Sequence, residues 1–200
     1  MRDSPILEEI SGEIAIIRFT NPADRNPLSL ETLNRLAAFL ERVKKEPTLR
    51  AVILTGTDDV FLSGADIRDL RNLDRTSATS FSQKGQALAH SLATLSPLTI
   101  AAINGYCMGG GLDLALACDI RIASQSAVFA HPGARLGIIT GWGGTQRVPR
   151  LIGRTLAIEL FATARRLSST EALDAGLVTQ IADPVLEKAI ALAKQRTTTS

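Results

Sequence analysis

Residues 51–56 read Ala-Val-Ile-Leu-Thr-Gly, an apolar and β-branched run with no polar alternation and turn residues at its end. A strand of that kind suits burial on both faces, the habit of parallel sheets covered by helices. Residues 98–104 form a second such run. Around them the apolar period changes to three and four. From Ser29 the residues Leu30, Leu33, Leu36, Ala37 and Leu40 recur at helical spacing, and residues 78–95 do the same. Ser29 is placed to cap the first of these helices, which is expected to run to about Lys45 before Pro47 stops it.

The rest of the chain continues the alternation. Strands are expected over residues 6–10 and 14–19, joined by a turn at Ser11 and Gly12, and again over 120–123, 127–130 and 178–181. A short segment lies at 66–73, and helical stretches are expected over 109–117, 143–152, 154–163, 169–175 and 184–194. Strands alternating with helices imply an α/β fold with a layered, mostly parallel sheet and right-handed crossovers. With 200 residues, 45% of them hydrophobic, the chain suffices for one domain, expected over residues 1–195 with a polar tail at 196–200.

Composition removes several classes of function. The net charge is +2 and the charges are scattered, so no general affinity for nucleic acid or a membrane surface follows. Cys107 and Cys118 lie in an apolar stretch without metal-ligand spacing, which argues against a disulfide framework or a zinc site. No run of 18 apolar residues spans a bilayer, and Met1 to Pro5 lack the apolar run of a secretory signal. A reducing cytoplasm is the expected location.

Glycine is concentrated in three places next to apolar strands: Gly64 in Phe61-Leu62-Ser63-Gly64-Ala65-Asp66, Gly105 and Gly109 to Gly111 after Asn104, and Gly141, Gly143 and Gly144 around Trp142. The second is neither a dinucleotide fingerprint nor a P-loop, and no nucleophile elbow is present. Two readings remain. Consecutive glycines at a strand-to-helix junction leave backbone N–H groups uncovered at the positive end of a helix, where a developing oxyanion would be stabilised. Equally, they let a helix and a sheet pack closely.

The glycine segments and their neighbours resemble the crotonase family, the enoyl-CoA hydratase/isomerase superfamily. The matching stretches are residues 16–28 (IIRFTNPADRNPL), 52–70 (VILTGTDDVFLSGADIRDL), 101–122 (AAINGYCMGGGLDLALACDIRI), 136–147 (LGIITGWGGTQR) and 172–178. The resemblance implies a ββα superhelix with layered sheets and a coenzyme A thioester as substrate. It implies no separate cofactor and no metal, since coenzyme A belongs to the substrate. By similarity, Ala65 and Gly110 supply the N–H groups of an oxyanion hole. Ala65, Asp66, Ile67 and Arg68 line the coenzyme A path, Asp24 and Arg25 border it, and Gly109 belongs to the substrate site.

Asp113 stands where hydratases of the family carry a catalytic glutamate. It lies three residues after Gly110, on the same face of a helix. Asp is one methylene shorter, and the alternative for it is a helix-face carboxylate meeting an Arg. The second glutamate of the pattern should follow a proline, and Gly133 stands there after Pro132. That departure disfavours double-bond isomerisation and leaves Asp113 as the acid–base residue for addition of water. His131, two residues before Gly133, would share its side if the segment is extended, and is otherwise a packed histidine. Arg135 could meet a substrate carboxylate or be a surface cation. Trp142 either walls the acyl pocket or fills core, and His90 needs no role.

Hydratase-type chemistry is therefore the leading expectation. A thioester decarboxylase or hydrolase using the same oxyanion hole, and a binding protein without catalysis, stand as alternatives. Members of the family continue past Lys194 with helices that help build a trimer or a dimer of trimers. Either this homo-oligomer is weakened and the pocket more open, or the chain is a truncated product.

Overall fold

The structure, a computed structural model, describes residues 4–197, with side chains described through Gln195. β1 (Ile6–Ser11) and β2 (Ile14–Phe19) form the expected hairpin, with Gly12 left-handed at its turn (φ 59°). From β2 the chain repeats one unit: a strand in a large sheet, a short strand in a second layer, then a helix. The first unit is β2, β3 (Pro27–Leu28) and α1 (Leu30–Val43). The second is β4 (Ala51–Thr55), β5 (Val60–Leu62), β6 (Gly64–Ala65), α2 (Ile67–Leu70) and α3 (Arg75–Ala93). The third is β7 (Leu98–Ile103), β8 (Tyr106–Met108) and α4 (Gly110–Ala115). The fourth is β9 (Ile120–Ala123), β10 (Val128–Ala130), a 3-10 turn at Pro132–Leu136, α5 (Gly144–Ile152) and α6 (Arg154–Thr163). β11 (Leu167–Ser168), α7 (Ser169–Asp174), β12 (Gln180–Ile181) and α8 (Val185–Thr197) complete it.

The large sheet has the order β1-β2-β4-β7-β9-β12, and every pair from β2 to β12 is parallel. Strand alternation splits its side chains between two cores. Ala15, Ile17, Val52, Leu54, Ala101 and Ile103 join the main core, to which α1 contributes Leu33, Leu36, Phe39, Leu40 and Val43. Ile14, Ile16, Ile53, Ile100 and Ile122 face Val185, Ala189 and Ala193 of α8 on the other side. Both faces are thus covered, as the unalternated run at 51–56 requires. Ser29 caps α1 by accepting from the Thr32 N–H.

Several expected boundaries move. α3 begins three residues earlier than its apolar period does, because Asp74 and Ser77 form a reciprocal cap around its first turn. The strand expected over 178–181 narrows to β12, and the helix expected over 109–117 to α4. α8 runs through Thr197, so helix occupies the start of the expected polar tail, while residues 1–3 and 198–200 lie outside the described residues. Among the described residues no helix is long and apolar enough to cross a membrane.

Candidate active site

The second layer positions the site. Asn26 is buried and pins the loop before β3. It accepts from the Asn21 N–H at 2.7 Å and donates through Nδ2 to the carbonyls of Val60 (2.9 Å) and Phe61 (3.2 Å). Arg25 and Asn26 are both left-handed (φ 65° and 48°), a conformation asparagine tolerates better than most residues. The pinned loop lets β3 pair in parallel with β6, which places Ala65 opposite Leu28.

β6 in turn lies against the start of α4. A β-carbon on Gly64, which is left-handed at φ 100°, would stand 2.9 Å from the Met108 carbonyl oxygen and 3.0 Å from the Gly110 nitrogen. Only glycine allows that approach. Gly109 caps α4 with no side chain over its end, and its own N–H donates to the Ala130 carbonyl at 2.9 Å. The structure therefore brings the Gly64-Ala65 strand and the Gly109-Gly110 helix start, far apart in sequence, into one place.

Asp113 sits one turn into α4 and is fully buried. Its Oδ2 accepts a hydrogen bond from the Thr140 hydroxyl, and its Oδ1 faces His131 Nε2 at 3.3 Å. Those two facing atoms are buried, and neither has a hydrogen-bond partner. Gly144, the first residue of α5, packs on the same carboxylate, since a β-carbon there would stand 2.2 Å from Oδ1. The carboxyl group thus lies against the N-terminus of α5. Among the described residues no ion pair joins Asp113 to an arginine, the partner expected of a helix-face carboxylate.

Gly133 and its neighbours differ from expectation. The segment is a 3-10 turn and not extended, so His131 owes its place to the end of β10 rather than to a shared strand face with Gly133. His131 is 3% exposed, and its ring lies 5.0 Å from that of Phe161 on α6. Arg135 is exposed on the turn, and His90 is exposed on α3. Trp142 is core: its ring meets Phe81 at 5.3 Å between centroids and is flanked by Gly85 of α3 and Gly110 of α4.

A separate open groove of about 780 Å³ runs between the loop at 21–32 and α2. Asp66 and Arg68 line it with Asp24, Pro27 and Leu30, whereas Arg25 and Ile67 do not. Asp66 caps α2 and accepts from Arg68 Nη2 at 2.7 Å, and Asp24 is 3.5 Å from the same nitrogen. The hydrogen bonds from Arg68 hold the Asp66 carboxyl below its ordinary pKa against the opposing effect of burial. Among the described residues no three His, Cys, Asp or Glu side chains gather as metal ligands would.

The sequence reading assigns no site role to Thr140 or Asn26, and marks Gly144 only as one of the glycines around Trp142. Asn26 carried a faint signal as a polar residue between a turn and Pro27. Thr140, beside the exposed Ile138 and Ile139, carried none.

A family model described as enoyl-CoA hydratase/isomerase matches residues 9–200. The chain is 36% identical over 180 residues to the short-chain-enoyl-CoA hydratase of Clostridium acetobutylicum, covering 90% of this chain and 69% of that protein. It is 37% identical over 180 residues to the crotonyl-CoA hydratase of Syntrophomonas wolfei, with coverage of 90% and 69%. Among solved structures, an enoyl-CoA hydratase from Bacillus anthracis superposes with a TM-score of 0.93 at 36% identity, covering 98% of this chain and 78% of that one. One from Thermoplasma volcanium does so with 0.93 at 34% identity, covering 99% and 79%.

Proposed function

The chain belongs to the enoyl-CoA hydratase/isomerase family, the crotonase family that its motifs resemble, and on that premise we propose that it adds water to, and removes water from, acyl-CoA thioesters. In this reading the N–H groups of Ala65 and Gly110 receive the thioester oxygen, so that charge gathering there as an enolate forms is met by donors already in place. Asp113 takes the proton from the attacking water. The groove lined by Asp66 and Arg68 carries the coenzyme A moiety, and the assembly is a homo-oligomer in the cytoplasm.

One observation carries the reading. Gly64 and Gly110 approach so closely that a β-carbon on the first would stand 3.0 Å from the nitrogen of the second, with a fully buried carboxylate one helical turn further on. Backbone donors and an acid held beside each other in a buried site are what enolate chemistry on a thioester requires.

The test is incubation with crotonyl-CoA, a 3-hydroxyacyl-CoA and malonyl-CoA in D2O, followed by mass spectrometry of the products. Gain or loss of one water is expected for the first two. Loss of carbon dioxide or release of free coenzyme A without hydration would instead identify a decarboxylase or a hydrolase. Measurable binding with no change in mass and no exchange at the α-carbon would leave a binding protein and end the proposal.

A further inference from the structure

Asp113 has one carboxyl oxygen engaged by Thr140 and the other facing His131 Nε2 at 3.3 Å, and neither of those facing atoms has a hydrogen-bond partner. Two buried polar atoms left to each other are costly unless a proton lies between them. The fold nevertheless fixes both. α4 carries Asp113, the end of β10 carries His131, and Phe161 of α6 packs at a tilt against the imidazole. The position expected to hold a second acid is Gly133, and it has no room for a side chain. Cys107 is a buried thiol whose pKa is raised first by burial and then by the Asp113 charge.

We propose that Asp113 and His131 form one acid–base unit, with His131 as the positioning and proton-holding residue that acts through Asp113. This rests on the hydratase reading. As water adds, its O–H bond breaks, its oxygen bonds to the β-carbon while the carbon–carbon double bond opens, and its proton passes to the pair. The pair then returns one proton to the α-carbon as the enolate collapses, so it ends the cycle with the proton count it began with. His131 thus replaces, from two residues away, the acid that Gly133 lacks.

The test uses His131→Gln, which keeps a donor toward Asp113 but takes up no proton, and His131→Phe, which keeps a ring against Phe161. Both are expected to lower kcat by on the order of a hundredfold with KM within about twofold. Asp113→Asn combined with His131→Gln should lose no more than the worse single variant, because the two act as a unit. In the wild-type protein, proton NMR should show an imidazole N–H far downfield that disappears in Asp113→Asn, a readout that needs no histidine variant to fold. Wild-type kcat in His131→Gln, losses that multiply in the double variant, or no such resonance would each overturn the pairing. A wild-type protein that turns over no thioester would instead overturn the hydratase reading beneath it.

Discussion

Gly133 and Ile138 meet so closely that a β-carbon on residue 133 would stand 2.5 Å from the Ile138 carbonyl oxygen. The obstacle is backbone, which cannot swing aside as the tip of a side chain would. The position where relatives are expected to carry an acid is therefore closed as well as empty. Gly133→Glu should fail to raise turnover, and overpacking of the turn should destabilise the protein by about 1–3 kcal/mol. Thermal denaturation beside a hydration assay checks both, and a variant with higher turnover and an unchanged midpoint would contradict the turn as described.

Asp113→Asn keeps volume and keeps an oxygen for the Thr140 hydroxyl to donate to. What it loses is the ability to take a proton. The expected result is a fall in kcat of roughly 10²–10⁴-fold with the melting temperature little changed. Full turnover in this variant would remove Asp113 from the chemistry.

Much of the scaffold was legible because it obeys a period. The 51–56 run and the α1 face announce themselves by which residues are apolar, and both were placed within a residue or two. β5, β8, β3 and β6 were not seen, because strands of two or three residues are too short to show alternation. They exist by pairing with one another and through loops pinned by Asn26. Ala65 and Gly110 can thus be named from motif resemblance, whereas the approach of β6 to the start of α4 depends on strands the sequence does not display.

The surroundings of Asp113 were legible only in part, for a related reason. His131 was considered through an extended segment that turned out to be a 3-10 turn. Thr140 reaches the carboxylate by the path of a loop that has no periodicity at all, and Gly144 by the way that loop sets down the start of α5. Tertiary placement, not local pattern, decides which polar residues a buried acid meets.

Trp142 is held between two glycines. A β-carbon on Gly85 would stand 2.2 Å from its Nε1, and one on Gly110 would stand 2.5 Å from its Cζ3. Gly85→Ala should therefore destabilise by about 1–3 kcal/mol despite alanine's better helix propensity. Trp142→Ala should cost about 3–5 kcal/mol through the cavity it leaves. In the Trp142→Ala background the penalty of Gly85→Ala should vanish or reverse, because the clash has no partner. Denaturant midpoints of the four proteins give the coupling, and simple additivity would mean that the ring is not clamped.

Cys107 and Cys118 are buried in the main core, and burial is the first cause that raises both thiols, Cys118 to about 12. In the unfolded chain a thiol titrates near pH 8.5. A raised pKa in the folded state means that the stability tied to these thiols is intact below about pH 8.5. It is lost as pH rises toward the folded value, because the unfolded chain sheds protons that the folded one keeps. Melting temperature should therefore fall between about pH 8.5 and 10.5 more steeply in the wild type than in a Cys107→Ala, Cys118→Ala variant, the difference between the two excluding lysine and tyrosine. A thiol-specific reagent at pH 8 should modify neither cysteine until denaturant is added, and rapid labelling of the native protein would place at least one of them outside the core.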